Sequence, residues 1–256
     1  MTERGGQQRI PRPTSARPGR PAPWAHLSAE ERRFTVAEVE AACSTLPPPR
    51  PATAPPTARP AAVLIAVFEE GGEARAILTK RPETMSSHQG EIAFPGGKLE
   101  ESVDEDLRAA ALREAWEEIG LVPALVTVAA ELDSLTTVMG RFVLTPFVGV
   151  LHRGRPELAP DPTEVASVFD VALSELLDPD VFREERWDIP SSFAGDAAFA
   201  GSPEEAALAS PTEGDRDAGI DRAIHFFELG GDSRETVWGA TARILFGFLE
   251  HLTATR

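Results

Sequence analysis

The spacing of apolar residues along the chain switches between a strand-like and a helix-like period, and the switches outline its elements. Residues 61–68 (AAVLIAVF) form a continuous apolar run of strand length, rich in β-branched side chains, and read as a buried strand. Gly71 and Gly72 follow, then an apolar run over 74–79, so the two segments read as a β-hairpin. Residues 126–137 and 141–151 read as further strands, the second interrupted at Pro146, and 164–171, 182–187 and 224–229 as three more. Helical spacing appears over 28–46, where Ser28 stands as a cap and Phe34, Val36, Val39 and Cys43 are available for packing. It recurs in the acidic segment that ends at Leu121, in a short helix over 173–177 stopped by Pro179, and over 236–252, with Val237, Ile244, Leu245 and Phe248 inward. Strands interspersed with helices and hairpins predict a mixed α/β domain.

Composition divides the chain. The first 60 residues are dense in proline and arginine and are expected to be a disordered arm carrying only the short helix at 28–46, with 47–60 a stiff, extended linker. Residues 61–256 are expected to form one domain. Within it, 191–220 is rich in alanine, glycine, serine and acid without clear periodicity, and reads as a long surface loop, either disordered or a lid.

Charge and cysteine content narrow the function. A net charge of −16 argues against nucleic acid as a partner, because phosphate backbones need a basic surface. No apolar run approaches the roughly 20 residues of a membrane helix. A single cysteine excludes an intramolecular disulfide and suits a reducing, cytoplasmic compartment; Cys43 itself reads as a small apolar filler rather than a nucleophile. The opening MTERGGQQRIPRPTSARPGR lacks the apolar segment of a secretory signal. Its arginines also suit an organellar transit peptide, but a disordered tail accounts for them with fewer assumptions.

The candidate chemistry lies in residues 88–121. Glu114, Glu117 and Glu118 stand at i, i+3 and i+4 on one helical face, near the end where the helix dipole disfavours negative charge. Three such carboxylates repel unless a cation offsets them, and magnesium takes a few carboxylates together with substrate phosphates. The Pro-Gly-Gly turn offers a further ligand in the Gly97 carbonyl. The opposite face carries Ala109, Leu112, Trp116 and Ile119 and is expected to dock on the sheet, while Glu105 is expected to pair with Arg113. The chain has two lysines, Lys80 and Lys98, which with Arg81 make a small basic patch suited to phosphate. His88 reads either as a loop cap or as a substrate contact or acid–base group. Trp187, Trp238 and Phe94 read as core.

The residues PGGKLEESVDEDLRAAALREAWEEIGL resemble the Nudix box, a glycine, a glutamate and then REUxEExGU with U apolar. Arg113, Glu114, Ala115, Glu117, Glu118, Gly120 and Leu121 fill its second half. Counting back from Arg113 places the isolated glutamate at Glu105, and the glycine is Gly97, so the loop carries two additional residues. Upstream, LTKRPETMSSHQGEIAFPGGK resembles the extended signature of the coenzyme A pyrophosphatase branch, with Pro82 where serine is usual. The later HFFELGGDSRETVWGATARIL is similar to that branch's WGxTA helix. The resemblance covers about residues 60–190 and 224–252.

It implies a Nudix-type α/β/α sandwich with a mixed β-sheet. It also implies Mg2+- or Mn2+-dependent hydrolysis of a nucleoside diphosphate derivative, coenzyme A or an acyl-CoA giving 3',5'-ADP and (acyl-)4'-phosphopantetheine. Glu114, Glu117 and Glu118, with the Gly97 carbonyl, become the implied metal ligands. Glu117, Glu118 and Glu164 are the implied catalytic group; Glu118 or Glu164 is the candidate base, and a strand-edge surface acid is an equal reading of Glu164. Lys80, Arg81, His88 and Lys98 are the candidate substrate contacts. The expected partner is a small-molecule diphosphate, with neither nucleic acid nor membrane, and a homodimer is allowed. Hydrolysis of ADP-ribose or a dinucleotide, or a Nudix-derived binding or regulatory module, stays open.

Overall fold

The computed structural model describes residues 8, 10, 12–83, 89–137, 140–189, 220–230, 235–254 and 256. Its elements are β1 (Arg17–Pro18), α1 (Val36–Cys43), β2 (Arg59–Glu70), β3 (Glu73–Lys80), β4 (Ile92–Ala93), β5 (Gly96–Lys98) and α2 (Leu107–Ile119). A 3-10 turn (Pro123–Leu125) leads to β6 (Thr127–Glu131), β7 (Leu135–Thr136), β8 (Phe142–Leu151), β9 (Ser167–Ala172) and α3 (Leu173–Leu176). The order closes with β10 (Phe182–Ile189), β11 (Ile220–Glu228), β12 (Thr236–Val237) and α4 (Gly239–Thr253).

Among the described residues, eight strands form one mixed sheet in the order β4-β3-β2-β8-β6, with β5 on β2, β7 on β8 and β9 on β3. The β2–β3 hairpin turns through Gly71 and Gly72, whose φ angles of 62° and 73° suit the tight turn. β2 and β8 run parallel, and β8 continues through Pro146 rather than breaking there. The Pro146 carbonyl accepts from Leu132 in the gap between β6 and β7, so its missing N–H falls where no strand needs it. Helix α2 packs on one face through Ala110, Ala111, Ala115 and Ile119 against Ala62, Leu64, Ala66 and Phe147. Residues of α1 and α4, among them Val36, Val39, Leu245 and Phe248, cover the other face, giving an α/β/α sandwich. A second, antiparallel sheet, β1-β10-β11-β12, lies beside it.

The N-terminal region differs from the expected disordered arm. From residue 12 onward it is part of the fold. Trp24 is fully buried, edge-on to Phe182 at 5.2 Å and stacked with Phe227 at 6.4 Å, and Leu27 and Phe34 are buried beside it. Prolines stiffen this backbone, but a few large apolar side chains decide its fate by covering a sheet face that would otherwise meet water. The segment read as a free linker is also tied down: Arg50 forks onto Asp133, and the Ala52 N–H donates to Ser134 Oγ at 2.7 Å.

Two Ser/Thr-x-x-Glu boxes stand in series here. Ser28 and Glu31 close only a turn, whereas Thr35 and Glu38 cap the helix, because the residues after Thr35 bury Val36 and Val39. Cys43 is buried and its thiol is pushed up to about 11 by that burial, as suits a filler. Residues 1–7 and, except for Ile220, the loop expected over 191–220 lie outside the described residues. If residues 12–58 are integral, Trp24→Ala costs about 3–5 kcal/mol in urea unfolding; an unchanged midpoint would return them to a loose arm.

Candidate active site

Helix α2 is fixed at both ends. Asp106 caps it by accepting from the Ala109 N–H at 2.7 Å. Gly120, at φ 69°, ends it with its own N–H on the Trp116 carbonyl and the Leu121 N–H on Ala115. The face turned to the sheet is not the expected one. Trp116 is 50% exposed, Ala109 and Leu112 are half-buried, and the buried stripe is Ala110, Ala111, Ala115, Glu118 and Ile119. Alanines let the helix sit close to the backbone of β2 and β5; tryptophan would hold it away. The rotation carries Glu114 and Glu118 onto the sheet-facing edge of the helix.

Glycine backbone receives both carboxylates. The Gly96 N–H donates to Glu118 Oε2 at 3.2 Å, and a methyl group on Gly96 would run into the backbone of Ala62 and Val63. A methyl group on Gly97 would collide with the Glu114 carboxylate. Glu118, 6% exposed, is pushed up to about 7 by burial, with repulsion from Glu114 and Glu164 adding; the Gly96 N–H and Arg81 oppose this. Burial also raises Glu114, with Glu117 and Glu164 adding and Arg113 opposing.

Arg113 is the structural hinge of the loop before the helix. Its guanidinium forks onto Asp104, Nε to Oδ1 at 2.8 Å and Nη2 to Oδ2 at 2.9 Å, and also donates to the Lys98 carbonyl. The expected partner is Glu105, which is exposed; buried Asp104 stands at the fork instead. Arg113 holds Asp104 below the usual carboxylate range, and Asp104 in turn accepts from the Glu100 N–H at 2.8 Å. The third acid of the helix, Glu117, is exposed and takes Arg113 Nη1 at 2.7 Å.

Glu164 does not lie on a strand; β9 begins at Ser167. It sits in a turn built on Asp161, which accepts from Thr163, while the Asp161 N–H donates to the Glu118 carbonyl at 2.9 Å. That docking explains why the Glu164 charge reaches both Glu114 and Glu118. The expected basic patch is divided. Arg81 lies close enough for its charge to act on Glu118, and its buried Nε lacks a hydrogen-bond partner among the described residues. Lys80 pairs with Glu235, and the Lys98 ammonium stands 5.9 Å from the Phe142 ring centre.

The structure thus gathers Glu114, Glu118, Glu164, Arg81, Gly96 and Gly97, leaves Glu117 on Arg113, and sets Lys80 and Lys98 apart. His88 lies outside the described residues. Phe94 and Trp187 are buried, and half-buried Trp238 packs against the Trp187–Phe226 pair, all as core. Among the described residues, no three carboxylate, imidazole or thiol groups form a ready cation cage. Asp104 and Glu235 were not foreseen. The acidic run before the helix signalled Asp104 only loosely, and nothing local signalled Glu235.

Burial of Glu118 has a pH signature. Its carboxyl titrates near an ordinary 4.5 when unfolded and near 7 when folded, so the folded protein loses stability as pH rises across that window. In EDTA, Glu118→Gln should therefore stabilise the protein by about 3 kcal/mol at pH 8 and by almost nothing near pH 4.5. Urea unfolding at the two pH values measures this, and an equal effect at both would contradict it.

The chain is similar to known proteins. The NUDIX domain family model matches residues 58–191, just over half of the chain. "Nudix hydrolase 22, chloroplastic" of Arabidopsis thaliana is 39% identical over 188 residues, covering 72% of this chain and 52% of that protein. "Uncharacterized Nudix hydrolase NudL" of Cronobacter sakazakii is 43% identical over 119 residues, covering 46% of this chain and 60% of its own length. The crystal structure of the M. smegmatis Nudix hydrolase RenU overlays with a TM-score of 0.38 at 24% identity, covering 44% of this chain and 70% of that one. The chain spans 52% to 60% of the length of these curated relatives. With the family model spanning the strands, the glycine turn and the acidic helix, the chain belongs to the Nudix domain family.

Proposed function

We propose that the chain hydrolyses the diphosphate of a nucleoside diphosphate derivative, with coenzyme A or an acyl-CoA as substrate and 3',5'-ADP and (acyl-)4'-phosphopantetheine as products. The observation that carries the hydrolytic part is the Glu114–Glu118 pair held against Gly96 and Gly97. Two carboxylates that burial pushes toward protonation, with repulsion from neighbouring acids adding, are a donor set that a divalent cation would relieve.

Glu114, Glu118 and the Gly97 carbonyl are assigned to Mg2+ or Mn2+, and Glu117 joins them on leaving Arg113. A cation held there would neutralise the diphosphate and ease deprotonation of the attacking water. Glu164, exposed and beside the pair, takes that proton, a role Glu118 can share. The water oxygen bonds to one phosphorus, and the bond from that phosphorus to the bridging oxygen breaks. Arg81 offers its Nε, unpartnered among the described residues, to a phosphate oxygen, and Lys80 and Lys98 add charge toward the other phosphate. The preference for coenzyme A rests on the HQGEIAFPGGK stretch, which includes His88 as a substrate contact. The intact acid pair speaks against a module that only binds. A reducing cytoplasm is the setting assigned.

Coenzyme A, ADP-ribose and NADH, each incubated with Mg2+ or Mn2+ and read by mass spectrometry, test the proposal. Coenzyme A should yield 3',5'-ADP, and Glu118→Gln should lower turnover at least about a hundredfold. No 3',5'-ADP with either metal overturns the substrate. Full activity of Glu118→Gln overturns the site.

A further inference from the structure

Glu164 faces the acid pair from a stretch, Asp161 to Val165, whose backbone is bonded more closely than an exposed connection requires. The Asp161 N–H donates to the Glu118 carbonyl at 2.9 Å, and the Ala159 N–H donates to the Ile119 carbonyl at 2.9 Å. The stretch is thereby fastened to the last turn of α2. The Asp161 carbonyl in turn accepts from the Glu164 N–H at 3.1 Å and from the Val165 N–H at 2.9 Å. Val165 is buried among the side chains that pack on α2. Beyond it the Ala166 N–H donates to the Lys80 carbonyl at 2.8 Å, where β9 joins β3.

The sequence prepares this turn. Aspartate at the first position and proline at the second favour a β-turn closed by the fourth residue, which here is Glu164. The Asp161 side chain then secures it. Its Oδ1 accepts the Thr163 N–H at 2.8 Å and the Thr163 hydroxyl at 2.7 Å. Asp161 is therefore bonded at once to the backbone of Glu118 and to the backbone of Glu164. A glutamate on a loose turn would spend little of its time in one place, because exposed backbone and side-chain torsions both sample many states. Holding a proton acceptor in one geometry removes that cost from the reaction.

We propose that Asp161 is a positioning residue for the hydrolytic step: its carboxylate fixes the 161–165 turn on α2 and so holds Glu164 where it can take the proton of the attacking water. The inference rests on Glu164 acting as the base, as in the function proposed above. Asp161 touches no reacting atom. Its role needs an acceptor oxygen opposite Thr163 and no charge.

Asparagine keeps that oxygen and alanine removes it, so the two substitutions separate positioning from a direct role of the carboxylate. By NMR hydrogen exchange, Asp161→Ala should make the Glu164 and Val165 amides exchange about tenfold faster, and Asp161→Asn should restore the wild-type rates. Turnover is measured with Mg2+ and coenzyme A, or with ADP-ribose should that be the compound cleaved. Asp161→Ala should lower kcat about tenfold with KM within about twofold, and Asp161→Asn should stay within about twofold of wild type. In a Glu164→Gln background, Asp161→Ala should add no further loss. Asp161→Asn as slow as Asp161→Ala, unchanged amide exchange, a rise in KM in place of the fall in kcat, or an undiminished loss in the Glu164→Gln background overturns the inference. If Glu164→Gln itself turns over normally, the base assignment falls and the inference with it. If Glu164→Gln is slow while Asp161→Ala is not, the inference alone falls.

Discussion

The site depends on a buried carboxylate that the protein only partly satisfies. Glu118 receives one backbone N–H, from Gly96, and the attraction of Arg81, against burial and the repulsion of Glu114 and Glu164. Removing a carboxylate from water is costly, and this arrangement leaves part of that cost uncompensated. Much of the surrounding structure keeps the arrangement in place. Alanines bring α2 close to the sheet, glycines leave room for the carboxylates, and the Asp104–Arg113 fork fixes the loop between them. Arg113 also pairs with Glu117 at 2.7 Å and with Glu114 at 3.1 Å, which leaves Glu118 to the Gly96 N–H.

The local elements were largely legible in the sequence because they depend on near neighbours. The apolar run of β2, the paired glycines of the hairpin and the acid spacing of α2 each carry their own signal. The rotation of α2 did not, since Trp116 scores as core by hydrophobicity while side-chain volume, a property of the partner surface, decides which face fits. Asp104 and Glu105 differ by one position, and only the path of the loop tells which acid meets Arg113. Glu164 lies in a turn rather than on a strand because a backbone contact from Asp161 to Glu118 fixes that turn, a contact no local pattern shows. Glu235 meets Lys80 from 155 residues away, a pairing no local pattern encodes.

The N-terminal segment shows the limit of composition as a guide. Its prolines and arginines suggest disorder, yet Trp24 and Phe34 cover one face of the sandwich, and arginines find acids on the second sheet. Arg12 meets Glu185 at 2.8 Å, and Arg17 meets Asp188 and Asp221. This segment also carries Gln8, so the start of the described chain, the turn at Gly90 and the start of β12 meet near Lys80. In a chain of net charge −16, this corner keeps one of the two lysines paired with an acid from far along the chain.

Cation binding by the buried pair is the central claim, and Mn2+ titration followed by electron paramagnetic resonance tests it most directly. Wild-type protein at pH 8 should bind Mn2+ without any substrate present, and the Glu114→Gln/Glu118→Gln double variant, folded by circular dichroism, should lose that binding. Equal Mn2+ binding by the two proteins would contradict the account.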